Sequence, residues 1–107
     1  MIEVNPIVCE GGTAIAITVL YPKTKLMSIT VPDVGYIMCG VLNVDALDAL
    51  HPEREIIAVR LEGISTIQDL LDFPVREVTL KGLKIGIKPG MKGSEALKLM
   101  FAYKQEK

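Results

Sequence analysis

A thiol attacks without needing a strong base beside it, and Cys39 is the residue of this chain best placed to do so. It stands in a glycine-bracketed apolar run, Gly35-Tyr36-Ile37-Met38-Cys39-Gly40. Gly40 would let a substrate approach the backbone, and Asn43 reads as the cap of a helix whose first amides favour negative charge. The neighbours Ile37, Met38, Val41 and Leu42 argue the other way, because burial among them would raise the thiol's pKa. The leading reading of Cys39 is therefore an inert, packed thiol, with a catalytic thiol as the alternative. Lys23-Thr24-Lys25 adds two cations and a hydroxyl in a turn, suited to an anionic ligand and equally explained as a polar hairpin loop. The candidate constellation is thus Cys39 as nucleophile with Lys23, Thr24, Tyr36 and Asn43 as ligand contacts. It would describe a small enzyme acting on an anionic metabolite at a subunit boundary. The sole histidine, His51, precedes Pro52 at a helix end and reads as a capping or exposed group, so a Cys-His dyad has no support in spacing.

Other chemistries lack their signatures. Cys9 and Cys39 form no CxxC pair and have no His/Asp spacing around them, so no metal site is expected. Two reduced thiols are the default reading, and a Cys9-Cys39 disulfide stays open. No phosphate loop, GxGxxG, GxSxG or HExxH occurs, and no cofactor is expected. The net charge of −1 hides an asymmetry: residues 1–80 carry 5 basic and 11 acidic side chains, residues 81–107 carry 7 lysines against Glu95 and Glu106. Lysines without arginine or interleaved aromatic side chains make a solvated face, not a nucleic-acid surface. The longest apolar runs, Ala14–Leu20 and Val34–Leu42, fall short of the roughly 18 residues of a membrane span. The N-terminal residues do not read as a signal peptide. Neither membrane nor nucleic acid is an expected partner, and the expected location is the cytoplasm.

These residues have to be positioned by elements that the sequence outlines. Val4 to Cys9 and Thr13 to Leu20 read as the strands of a hairpin around Glu10-Gly11-Gly12, followed by strands at Leu26–Val31 and Tyr36–Leu42. Ala, Thr, Met and Gly between the isoleucines of the second and fourth segments predict a sheet covered on both faces. Asn43 caps a short helix with Val44, Leu47 and Leu50 on one side; Ile56–Leu61 is a further strand. Ser65 and Gln68 form a capping box for a helix with Ile67, Leu70 and Leu71. Val75–Leu80 reads as a strand, Gly82–Gly93 as a glycine-punctuated connection, and Ser94 to about Tyr103 as the last helix. The fold class is α+β: one domain over residues 1–107, with a largely antiparallel or mixed sheet, a β-rich N-terminal region and about three short helices. Half of the chain is hydrophobic, with nine glycines besides. That exceeds the roughly 45–50% apolar share of a soluble domain and points to surface buried against another subunit.

The hexapeptide Gly35–Gly40, with Pro22-Lys23-Thr24 before it and Leu42-Asn43 after it, resembles the YunC-like family of small bacterial and archaeal proteins. Gly86-Ile87, Gly90-Met91, Gly93 and Glu95-Ala96-Leu97 extend the resemblance over nearly the whole chain. No biochemical function is attached to that family. The resemblance implies a homotetramer assembled through a β-rich N-terminal region, here residues 1 to about 31. It departs at Lys92, where relatives tend to carry a Ser or Thr that caps the last helix, so Ser94 or Gly93 should take over that end. The expectation is a homo-oligomeric cytoplasmic binding or accessory protein whose small-molecule ligand is unknown.

Overall fold

The computed structural model describes residues 1–40, 43–50 and 52–106. Six strands form one sheet in sequence order: β1 (Ile2–Cys9), β2 (Gly12–Tyr21), β3 (Thr24–Val31), β4 (Gly35–Met38), β5 (Ile57–Arg60) and β6 (Glu77–Val78). All pairings are antiparallel except β4 with β5, which are parallel and joined through α1 (Val44–Leu50) and a 3₁₀ turn at Pro52–Arg54. Parallel neighbours need such a crossover, whereas the tight turns at Glu10-Gly11 and Pro22-Lys23 suffice for the hairpins. Three more helices follow: α2 (Ile67–Asp72), α3 (Leu80–Lys84) and α4 (Gly93–Glu106). The α+β class, with a mixed sheet and three short helices beside one longer one, is the architecture observed.

Period-two alternation gives the sheet two unlike faces. The inner face carries Ala14, Ala16, Met27, Ile29, Val31, Ile37, Ile57 and Val59, each no more than 3% exposed. The helices α2 and α4 lie against its strands β3 and β4 and add Leu70, Leu97 and Met100 to the same core. Full burial of side chains of this size contributes roughly 1.5–3 kcal/mol each. Small residues let α4 come close at two points. Phe101 packs on the β1–β2 turn, where a Cβ on Gly12 would stand 2.7 Å from its ring, and a Cβ on Gly93 would collide with the Leu70 carbonyl.

The outer face departs from expectation. Ile15, Ile17, Val19 and Leu26 are half-buried among themselves, and Ile2, Val4 and Val8 of β1 are exposed. The sheet predicted to be covered on both faces carries its helices on one side over β2 and β3, because in β2 Ala14 and Ala16 face the core whereas Ile15 and Ile17 face away from it.

Three further expectations are corrected. The segment 75–80 contributes only two strand residues, because the Thr79 hydroxyl takes over the pairing: it donates to the Ile56 carbonyl at 2.6 Å and accepts the Ala58 N–H at 3.1 Å. Thr79 also caps α3, which occupies part of the stretch read as a connection. The capping box of α2 lies one residue further on than predicted, with Thr66 accepting from the Asp69 N–H and Asp69 accepting from the Thr66 N–H. At α4, Gly93 is the first helical residue and the Lys92 N–H donates to Glu95 Oε1 at 3.4 Å, so half of a box persists without a capping hydroxyl.

Candidate functional site

The five candidate residues stand where local structure puts them, with Tyr36 and Cys39 on opposite faces of the sheet. Cys39 is 7% exposed just beyond β4. Its N–H donates to the Met27 carbonyl at 3.1 Å, continuing the β3–β4 ladder by one residue and placing Cys39 on the inner side with Met27. Tyr36, three residues earlier, is on the outer face opposite Thr30. Burial pushes its phenol above the ordinary value, so it is a neutral hydroxyl at neutral pH. Asn43 caps α1, its Oδ1 accepting from the Ala46 N–H at 2.9 Å. Lys23 and Thr24 are exposed in the β2–β3 turn. Lys23 adopts φ 62°, the left-handed conformation required at the third position of a tight turn after Pro22. Thr24 is three strand residues, about 10 Å, from the Met27 level where Cys39 is held. His51 lies outside the described residues.

A different set of residues does come together. The end of β1, the start of α4 and Leu71 of α2 enclose an open recess of about 280 Å³ lined by Ile7, Val8, Cys9, Ser94 and Glu95. Glu10 and Lys98 pair across one side at 3.4 Å. The Cys9 thiol is directed at the Ile7 carbonyl at 3.6 Å. Burial raises its pKa, and a backbone hydrogen bond from Ala14 offsets this in part. A thiol raised in this way is neutral at pH 7, packs and donates weakly, and is a poor nucleophile. The recess therefore offers apolar walls, one hydroxyl, the Glu10–Lys98 pair and the Glu95 carboxylate, suited to holding a small molecule rather than to attacking one. Sequence reading missed it because its walls come from residues separated by 60 to 90 positions, with no local motif. The turn at Glu10-Gly11-Gly12 was the only signal.

A second recess, about 340 Å³, lies between α3 and α4 beside Lys81, Lys84 and Tyr103. Lys81 is already engaged there: Glu55 is 3.5 Å away and the Tyr103 ring centre 5.4 Å. Among the described residues no group of three or more His, Cys, Asp or Glu side chains could hold a metal ion. No helix of the described residues is long and apolar enough to cross a membrane.

The profile of a family described as a domain of unknown function, DUF1805, matches residues 38–100. The uncharacterized protein YunC of Bacillus subtilis (strain 168) is 46% identical over 97 residues, 91% of this chain and 95% of its own length. The crystal structure of a protein of unknown function, TA1206 from Thermoplasma acidophilum, superposes with a TM-score of 0.82 at 27% identity, covering 94% of this chain and 93% of that one.

Proposed function

Since the chain belongs to the DUF1805 family of YunC-like proteins, to which no reaction is attached, we propose from its own surface that it is a homo-oligomeric binding or accessory protein assembled through its N-terminal strands. The observation that carries this reading is the apolar outer face of β1–β3, where Ile2, Val4 and Val8 are 66%, 60% and 88% exposed. Exposed apolar side chains that are contiguous rather than scattered mark a contact surface. A cytoplasmic location belongs to the same proposal and is supported by two free thiols, Cys9 and Cys39. The ligand is a small molecule, for which the recess beside Cys9 is one candidate place.

The enzymatic alternative draws less support, because Cys39 is buried and Tyr36, Lys23 and Thr24 do not face it. Sedimentation velocity of the wild-type protein at micromolar concentration tests the assembly, and a monomer there would refute it. A thermal-shift screen of metabolites tests the binding role: a ligand at a hundred times its dissociation constant adds about 2.7 kcal/mol. A stabilising metabolite that the protein also turns over would restore the enzymatic reading.

A further inference from the structure

We infer that the recess between α3 and α4 binds a small monocarboxylate carrying an apolar chain or ring. This rests on the reading of the protein as a binder of small molecules, and adds to it a place and a ligand class. The place shares no lining residue with the recess beside Cys9.

The ligand's charge follows from the side chains that meet there. Lys81 and Lys84 are three positions apart on α3 and border the same recess, and among the described residues no acidic side chain lines it. The Lys81 ammonium is held in place, with Glu55 at 3.5 Å, the Tyr103 ring centre at 5.4 Å and only 20% of the side chain exposed. A donor fixed by its neighbours loses little freedom when a ligand arrives. Lys84 has no carboxylate partner among the described residues. Glu55 balances one of the two cations, so the recess keeps one unmatched positive charge. That suits a monoanion.

The walls set the rest of the ligand. Leu99, Ala102 and Tyr103 stand at positions i, i+3 and i+4 of α4 and so share one helix face, and Ile85 closes the opposite side. The volume of about 340 Å³ falls in the lower part of the roughly 300–1,000 Å³ typical of small-molecule sites. A bare inorganic anion would leave this apolar surface wet, whereas an apolar body on the ligand removes it from water. Phosphate is further disfavoured by the available donors. It is best held by arginine forks or by backbone N–H groups, and the recess has no arginine. The Ile85 and Gly86 N–H groups at the end of α3 already donate to the Lys81 and Leu83 carbonyls, at 3.2 and 3.1 Å. Two ammonium groups over apolar walls fit a carboxylate with a hydrophobic body.

The test titrates the full chain, labelled with nitrogen-15, and follows its amide signals. Phenylacetate and hexanoate should shift those of Lys84, Ile85, Leu99 and Ala102 saturably. Acetate, which lacks the apolar body, 2-phenylethylamine, which reverses the charge, and inorganic phosphate should each bind at least about tenfold more weakly. Lys84→Gln should weaken phenylacetate about tenfold by removing a charged donor, and Lys84→Arg should restore it. Lys88→Gln, which removes the same charge from an exposed position outside the recess, should leave binding unchanged. The inference is wrong if neither acid gives saturable shifts at the recess, or if any of the three control ligands binds as tightly as phenylacetate. It is equally wrong if Lys84→Gln and Lys88→Gln act alike. Saturable shifts confined to Leu71 and Ser94 would refute it while upholding small-molecule binding beside Cys9. A metabolite screen empty at both recesses would remove the underlying reading itself.

Discussion

At the scale of single residues, Thr79 is the polar group on which most depends. Its hydroxyl is fully buried and serves Ile56, Ala58 and the first turn of α3 at once. Thr79→Val keeps the shape and leaves the Ala58 N–H without its acceptor, which should cost about 1–3 kcal/mol in urea unfolding, whereas Thr79→Ser should recover most of it. Equal losses in both variants would show that packing of the methyl group matters more. The cysteines give a second prediction. Cys39 is 7% exposed, so a maleimide should reach it only on unfolding, and Cys39→Ala should cost about 1 kcal/mol or more through lost packing. Cys9 borders the recess with a raised pKa, so its alkylation should begin at higher pH than that of a free thiol. Modification of Cys39 in the native state at pH 7, faster than that of a free thiol, would overturn the inert assignment. Sequence could suspect both thiols, but their accessibility depends on which helix covers them.

Among the elements, the α2–α4 contact is the tightest. Gly93 starts α4 against the Leu70 carbonyl, and its N–H donates to the Phe73 carbonyl at 3.1 Å. Gly93→Ala must move one helix off the other and should cost about 1–3 kcal/mol, read as a lowered urea midpoint; a neutral result would mean that the helices slide freely. Thr66→Ala should remove about 1 kcal/mol through its cap on α2. Elements were legible where one strong local signal acted alone: Asn43 ahead of Val44, or Pro22 and the Glu10-Gly11-Gly12 turn between β-branched runs. They were misread where two signals competed. Ser65 and Thr66 both precede a polar residue by three positions, and the carboxylate of Asp69, a better acceptor for backbone N–H groups than the Gln68 amide, decides the register. At 75–80 the β-branched pattern promised a strand that tertiary hydrogen bonding to Thr79 cuts short. Gly82 read as a loop residue, yet it sits buried inside α3 because a Cβ there would stand 2.5 Å from Val78.

For the whole molecule, the uneven charge matters less than its pairing. Of the seven lysines in residues 81–107, Lys81 faces Glu55 and Lys98 faces Glu10, and α4 adds no arginine fork. Anion affinity should be weak and fall steeply with salt; retention of duplex or single-stranded nucleic acid at about 0.5 M salt would contradict this. The family resemblance was legible in short glycine-centred motifs, several of which mark turns, as at Gly86 and Gly90, or close approaches of backbone, as at Gly35 and Gly93. One architectural fact bears on how the chain comes to be folded at all. β1 to β4 pair only with their sequence neighbours, so this meander can zip up from local contacts while the chain is still being synthesised. Its inner face is covered by α4, whose residues follow some sixty positions behind Val31 and touch β1, β3 and β4. During synthesis there is accordingly an interval in which the meander stands complete while the apolar side chains of its inner face still wait for α4.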